Sequence, residues 1–209
     1  MIVLATRVTG VNTIMYYAPT VLKATGLGDA AAVTGAVANG VVSILATLLG
    51  MLLIGKHSRR KMFFTGQIGV TLSLVSIGLS FKFFFHLETI EGVSSLHANF
   101  AGASYIILGL MLMFLIFMQG WIAPVFWLML AEIYPLRMRG LGMGFSVFGL
   151  WIFDFIIQSV FPILLNHYGG GMTFGVFAGT NLIMLMLLVK YLPETRGLTL
   201  EQIEQKFRF

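Results

Sequence analysis

The chain has 209 residues, of which 58% are hydrophobic and only 10% are charged, and its formal net charge is +5. A soluble domain carries about 25% charged residues, so this composition and a mean hydropathy of +0.93 argue against an ordinary soluble protein. The absence of cysteine excludes disulfides and thiol chemistry, and the basic residues do not share one soluble face, so no nucleic-acid partner is expected.

Six apolar stretches follow one another along the chain. They cover about residues 2–23, 31–54, 62–85, 105–131, 142–165 and 172–192. Each can cross about 30 Å of hydrocarbon as a helix that rises 1.5 Å per residue. Barrel strands would need polar side chains alternating toward a lumen, which these stretches lack, and helices satisfy their own backbone groups in lipid. The sequence therefore predicts an all-α membrane protein with six transmembrane helices within residues 1–192.

Basic residues are concentrated on one side of the predicted spans. The connector after the second span reads KHSRRK, and further basic residues follow the fourth and sixth spans. The positive-inside rule then predicts that both termini lie in the cytoplasm of a multi-pass protein of the cell membrane. Residues 193–209 begin with Pro193 and include LTLEQIEQKF, which predicts a cytoplasmic tail with a short amphipathic helix.

Polar residues inside the first two predicted spans are candidates for function, because such residues are costly in lipid. Asn12 and Tyr16 lie four residues apart and share a helix face, and Asn39 and Ser43 have the same spacing. Both pairs fit either hydrogen bonds between helices or the lining of a polar cavity. Arg7 lies near the cytoplasmic end of its span, where a long side chain is expected to snorkel toward the interface.

The fourth predicted span contains the motif QGWIAPVFWLMLAEIYP. Pro124 removes a backbone donor and loosens the helix locally. Trp127 lies deep in the span, where its indole could stack on the C–H face of a sugar ring or simply fill core volume. Glu132 stands seven residues before Arg139, which fits a static salt bridge or one that breaks during a conformational change.

The fifth predicted span places an acid among apolar residues. Trp151, Asp154 and Gln158 stand in LWIFDFIIQSVFP. An acid at mid-bilayer costs about 2.5–3.5 kcal/mol on insertion scales, so Asp154 is expected to face protein or water. It is either a hydrogen-bonded structural acid or a proton relay.

The sequence shows no set of residues typical of an enzyme or a metalloprotein. The four histidines lie in or near connectors without metal-ligand spacing. No nucleophile, base and orienting acid can be paired. We therefore expect neither enzymatic activity nor a cofactor or metal.

Four segments in chain order resemble the C-terminal half of a sugar porter of the major facilitator superfamily. They are GVNTIMYYAP, the SRR loop, PVFWLMLAEIYPLRMRG and PETRGLTLEQIE. The resemblance implies a twelve-helix transporter of two six-helix halves, with sugar bound between them near the midplane. It implies alternating-access transport of a hexose or pentose, coupled to protons, in the lipid bilayer and together with a missing N-terminal six-helix half. The chain is then expected to be a fragment or truncated form; the alternatives are a non-functional remnant and a membrane sugar sensor.

The resemblance also implies roles for individual residues. The implied substrate-binding set is Asn12, Tyr16, Tyr17, Asn39, Ser43, Trp127 and Trp151. In this set Asn12 contacts the sugar, the two tyrosines shape an outer gate, and Trp127 packs against the sugar. A cytoplasmic charge network would latch the two halves in the outward-open state. The implied members of that network are Arg59, Arg60, Glu132, Arg139 and Glu194.

Several positions depart from the pattern of the family. Thr6 and Arg7 replace two glutamines that usually bind sugar hydroxyls, and Asp154 replaces the usual asparagine. Ser43 stands where a sugar-binding asparagine is frequent, and Gly55 replaces the acid that opens the basic loop. The resemblance thus implies an altered sugar site and an incomplete latch.

Overall fold

Helices make up most of the structure, a computed structural model that describes residues 2–26, 28–90, 93–100, 102–134 and 137–192. The helices are α1 (Ile2–Arg7), α2 (Val11–Ala24), α3 (Asp29–Ile54), α4 (Arg59–Phe84), α5 (Ala103–Phe117), α6 (Ala123–Ile133) and α7 (Arg139–Tyr191). Two strands, β1 (Phe85–Ile90) and β2 (Val93–Ala98), lie between α4 and α5. The tail predicted over residues 193–209 lies outside the described residues.

Four helical stretches in the described part of the chain have the length and hydropathy of membrane spans. They are Asp29–Ile54, Arg59–Phe84, Ala103–Ile133 and Arg139–Lys190. The first three correspond to the predicted second, third and fourth spans. The last covers both the predicted fifth and sixth spans.

Two glycines break the chain where the sequence predicted a continuous helix or a short connector. Gly10 adopts a left-handed φ of 70° and separates α1 from α2, so the predicted first span is two short helices. Gly169 (φ 73°, ψ 172°) kinks α7, and helical structure continues directly on both sides of it. The structure therefore does not confirm the predicted count of six separate helices.

The segment predicted only as a connector after the third span forms a β-hairpin. β1 and β2 pair antiparallel, with Phe85 opposite Ala98 and Ile90 opposite Val93. α4 ends at Phe84 because Phe85 has extended backbone angles (φ −132°, ψ 145°). The prediction of a purely helical chain therefore misses this small sheet.

A π-helical turn, Met118–Ile122, joins α5 to α6 within the predicted fourth span. Pro124 follows it in the first turn of α6 and removes one backbone donor from the continuous helical stretch Ala103–Ile133, which fits the change of helical geometry here. The backbone oxygen of Gly120 lies directly against Gly50 of α3. α3 buries a row of mostly small residues. At Gly50 it therefore approaches the π-helical turn closely. The buried residues of α3 are Ala32, Gly35, Asn39, Ser43, Ala46 and Gly50.

Candidate functional site

A buried carboxylate connects three helices at the centre of the candidate site. Asp154 on α7 is 3% exposed, and its Oδ2 accepts hydrogen bonds from Asn12 Nδ2 (2.5 Å) and Gln158 Nε2 (2.9 Å). Arg7 Nη1 on α1 lies 3.6 Å from Asp154 Oδ1, and the Arg7 side chain is 11% exposed. The expectation that Arg7 snorkels to the interface is therefore wrong, because a buried counter-ion holds it inside the bundle.

The carboxylate fixes the direction of the two amides that contact it. An ionised carboxylate only accepts hydrogen bonds, so both amides must present their NH₂ groups to Asp154. The carbonyl oxygens of Asn12 and Gln158 consequently remain available to other donors. Gln158 follows Asp154 by one helical turn on the same face of α7, which gives this contact its short reach.

A cavity of about 190 Å³ lies beside the Arg7–Asn12 side of this cluster. Its lining comprises Thr6, Arg7, Val11, Asn12, Met118, Gln119, Ala123, Phe126 and Trp127. The structure thus places Asn12 and Trp127 in the lining of one cavity. Gln119, in the π-helical turn, was not predicted; an amide inside an apolar span was the signal that could have identified it.

A second cavity of about 370 Å³ lies on the α7 side of Asp154. It is lined by Tyr17, Trp151, Asp154, Phe155, Gln158, Ser159 and Pro162. Trp151 is 56% exposed and Trp127 45% exposed, so each cavity has an indole at an open side. The hydrogen bond between Asn12 and Asp154 links the two cavity walls. Tyr16, 63% exposed, lines neither cavity.

Asn39 and Ser43 lie elsewhere. Both are buried on α3 and line neither of these two cavities. The Ser43 hydroxyl donates to the Asn39 backbone oxygen at 2.7 Å, and the Asn39 side-chain amide has no hydrogen-bond partner within the described part of the chain. The structure does not bring these two residues to Asn12 and Trp127, because their face of α3 turns into the bundle.

The predicted charge network is reduced to one ion pair among the described residues. Arg59 Nη2 lies 2.7 Å from Glu132 Oε1, and both side chains are 18% exposed. Arg60 instead lies over the Phe64 ring and donates to the Val189 backbone oxygen at 2.8 Å. Arg139 makes no ion pair with Glu132, contrary to the salt bridge that their spacing allowed. Glu194 lies outside the described residues.

A further polar contact between helices, apart from those of Asp154, was also missed by the sequence analysis. Gln67 on α4 donates to the side-chain oxygen of Asn181 on α7, and both residues are fully buried. Each is an amide among apolar residues of its helix, and nothing in the sequence pairs them. The contact joins the two helices away from both cavities.

The site presents groups that can bind a ligand through hydrogen bonds and apolar contacts. Amide oxygens accept, a guanidinium and an amide donate, and two indoles offer flat apolar faces. In the ranges that the structure describes, no three His, Asp or Glu side chains lie close enough to hold a metal ion.

Comparisons with known proteins give one consistent family. The family model described as "Sugar (and other) transporter" matches residues 1–207. The major myo-inositol transporter IolT of Bacillus subtilis is 45% identical over 99% of this chain and 41% of its own length. The glucose transporter GlcP of Staphylococcus epidermidis is 31% identical over 95% of this chain and 42% of its own. The chain spans about 40% of the length of the curated relatives it matches.

Solved structures show the same fold. The proton:xylose symporter XylE bound to 6-bromo-6-deoxy-D-glucose matches all of this chain with a TM-score of 0.80 and 23% identity, over 42% of its own chain. The inward-open conformation of XylE from E. coli matches with a TM-score of 0.79 and 22% identity, over 41% of its own chain. At this identity the similarity concerns the fold, which is that of part of a major facilitator superfamily protein.

Proposed function

Because this chain belongs to the Sugar (and other) transporter family and is a multi-pass membrane protein rather than an enzyme, we propose that it binds a sugar or a similar polyol and carries it across the membrane by alternating access. The observation that supports this proposal is the cavity where Asn12, Arg7 and Gln119 face the indole of Trp127. Hydrogen-bonding groups beside an aromatic face match a ring that has polar edges and apolar C–H faces.

We propose that the substrate is a neutral ring with several hydroxyl groups: a hexose, a pentose or a cyclitol. Asn12 Oδ1 would accept a hydrogen bond from a substrate hydroxyl, because Asn12 Nδ2 already donates to Asp154. Arg7 and Gln119 would donate to substrate oxygens. The relatives named for myo-inositol and glucose support this class.

We propose that the chain works together with a second six-helix half that completes the binding cleft. Two observations support this. The chain spans about 40% of the length of its relatives, and the cavity tryptophans Trp127 and Trp151 are 45% and 56% exposed. A ligand held by this wall alone would remain largely open to its surroundings, whereas small-molecule sites bury most of the ligand.

We propose proton symport as the mode of transport, with the coupling acid in the other half. The arabinose-proton symporter of Bacillus subtilis, 29% identical over 98% of this chain, supports the mode. Asp154 is less suited to carry the proton. Its charge is already neutralised by Arg7, and it already accepts hydrogen bonds from Asn12 and Gln158. In this proposal Asp154 is a counter-ion and an orienting group, which is one of the two roles that the sequence leaves open.

We propose that the basic loop between α3 and α4 faces the cytoplasm of a cell-membrane transporter. The concentration of basic residues supports this orientation. The Arg59–Glu132 ion pair at that end would then act as the latch between conformations. Opening of the cleft toward the cytoplasm would require this pair to separate.

The test is uptake of labelled myo-inositol, glucose and xylose in a transport-deficient bacterium. The chain would be expressed alone and with the N-terminal half of a related transporter. We expect uptake of at least one of these substrates in the co-expressing cells and at most background in cells with the chain alone. No uptake despite membrane insertion of both halves would contradict the proposal and favour a remnant or a sensor.

A matched pair of tryptophan variants tests the binding site. Trp127→Ala removes an indole from the cavity. Trp121→Ala removes an indole from the same helical stretch, at a position that does not line the cavity. We expect Trp127→Ala to lower uptake about fivefold at equal membrane content, since the loss of an aromatic contact costs on the order of 1 kcal/mol. Equal uptake in Trp127→Ala and the parent protein would remove this cavity as the site.

A further inference from the structure

A groove runs between the end of α3 and the start of α4, away from the candidate sugar site. Its volume is about 450 Å³, and its lining comprises Leu53, His57, Ser58, Lys61, Met62, Thr65 and Trp121. The residues near the loop are polar or basic, whereas Leu53, Met62 and Trp121 are apolar. The groove therefore has a charged entrance and an apolar floor.

The basic residues at the entrance differ in whether other parts of the protein bind them. Within the basic loop, Arg59 is paired with Glu132, and Arg60 contacts Phe64 and the Val189 backbone. Lys61 is exposed, and it forms no ion pair with any residue that the structure describes. The lining contains no acidic residue, and the exposed ring of His57 lies at the same entrance, with its Nδ1 3.3 Å from the Leu53 backbone oxygen.

The start of α4 holds this entrance in place. The Ser58 hydroxyl accepts a hydrogen bond from the Lys61 backbone N–H at 3.4 Å and so caps the helix. Thr65, one turn further on, donates its hydroxyl to the Met62 backbone oxygen at 3.0 Å. Its polar group is thereby satisfied inside the helix, and the wall below Lys61 remains apolar.

The groove extends from the loop well into the membrane-spanning region. Glu132 lies at the level of the loop because it binds Arg59. Trp121 precedes Glu132 by 11 residues in the same helical stretch, Ala103–Ile133. At 1.5 Å per residue, Trp121 lies about 16 Å deeper. Exposed apolar side chains continue beside the groove on both helices, among them Leu49 and Leu52 of α3 and Ile68 and Leu72 of α4.

We propose that this groove binds one anionic phospholipid, with its phosphate at Lys61, beside His57, and an acyl chain lying over Met62 toward Trp121. Basic pockets between transmembrane helices attract anionic headgroups, and the apolar floor is matched by a hydrocarbon chain. A soluble phosphate would use only the entrance and leave that floor uncovered. This proposal rests on the membrane location of the chain and not on its proposed transport function.

Fluorescence of Trp121 provides a direct test. The chain with Trp127→Phe and Trp151→Phe keeps Trp121 as its one tryptophan. It would be reconstituted into phosphatidylcholine bilayers containing increasing fractions of phosphatidylglycerol brominated on its acyl chains, and in parallel into bilayers with brominated phosphatidylcholine. Bromine quenches indole fluorescence on contact, so the two titrations yield the relative binding constant of the two lipids at Trp121.

We expect phosphatidylglycerol to bind about fivefold more strongly than phosphatidylcholine, the factor that one lysine near a membrane surface contributes. Lys61→Gln should reduce the relative constant to about one. Lys82→Gln provides the matched control, because Lys82 is exposed on the same helix at its opposite end, and it should leave the constant unchanged.

Three results would overturn the proposal. They are a relative constant near one in the parent chain, an unchanged constant in Lys61→Gln, and equal losses in both lysine variants. A site that takes only a soluble phosphate would give the first of these results, because its occupant carries no brominated acyl chain to quench Trp121. Equal helix content by circular dichroism in the variants shows that these constants compare folded proteins.

Discussion

The guanidinium of Arg7 and the carboxylate of Asp154 form an ion pair inside the bundle, with Nη1 and Oδ1 3.6 Å apart. Each residue departs from the sugar porter pattern, which has a glutamine and an asparagine at these positions. The two departures look independent in the sequence. In the structure they are one paired change, since each charge neutralises the other and Asn12 is oriented by the same carboxylate.

The first prediction concerns this pair. Asp154→Asn alone should destabilise the protein by about 3–5 kcal/mol, because it leaves the buried Arg7 without a counter-ion. Arg7→Gln combined with Asp154→Asn should recover most of this loss, because two neutral amides need no counter-ion. Thermal unfolding in detergent measures both effects.

An exposed ion pair provides the control for this experiment. Lys23 Nζ lies 2.9 Å from Asp29 Oδ1, but the Asp29 side chain is 86% exposed. Asp29→Asn should therefore change stability by less than about 1 kcal/mol. If the double variant at Arg7 and Asp154 is no more stable than Asp154→Asn, the two charges are not coupled.

The sequence predicted the long helices better than their breaks. Apolar length alone placed spans at residues 31–54, 62–85 and 105–131, close to the observed Asp29–Ile54, Arg59–Phe84 and Ala103–Ile133. The breaks depend on backbone angles that apolar length does not encode. Gly10 takes a positive φ against the ring of Phe177, a residue distant in the sequence.

Some features of the candidate site could likewise be predicted from the sequence, and others could not. The proximity of Asn12 and Trp127 was predictable from the resemblance, because motif residues keep their relative positions within a fold. The contacts of Asp154 with Arg7, and of Gln67 with Asn181, were not predictable. They join residues far apart in the chain, and helical periodicity specifies only which residues share a face of one helix.

A second prediction concerns the ion pair between Arg59 and Glu132. Glu132→Gln should favour opening of the cleft at the basic-loop end, because it removes a charged hydrogen bond of 2.7 Å. This chain contains no cysteine, so Gln119→Cys is its one labelling position, and it is combined with a partner half from which any cysteines have been removed. In the assembled transporter, a membrane-impermeant maleimide added from the basic-loop side should react about fivefold faster in the Glu132→Gln background.

Exchange of the two charges tests the specificity of this effect. Arg59→Glu combined with Glu132→Arg should return the labelling rate toward that of the parent, because the ion pair can form again. Unchanged labelling in Glu132→Gln, or a double variant as reactive as the single one, would show that this pair is not a latch.

A third prediction concerns the buried amides of Gln67 and Asn181, which link α4 to α7. Asn181→Leu should cost about 1–3 kcal/mol, because the Gln67 amide loses its partner in an apolar interior. Gln67→Leu combined with Asn181→Leu should be more stable than either single variant, since no polar group remains to be satisfied. Thermal unfolding in detergent provides the measurement, and additive losses in the double variant would contradict the pairing.

A fourth prediction uses two glycines of the same helix, Gly50 and Gly40. A Cβ on Gly50 would meet the backbone oxygen of Gly120 and lie 2.8 Å from Pro124 Cγ, whereas a Cβ on Gly40 has no neighbour within 4 Å. Gly50→Ala should therefore cost about 1–3 kcal/mol through overpacking, and Gly40→Ala should be neutral or stabilise by up to about 1 kcal/mol through helix propensity. Equal unfolding temperatures for the two variants would show that α3 does not pack closely against Gly120 and Pro124, since these contacts distinguish the two sites.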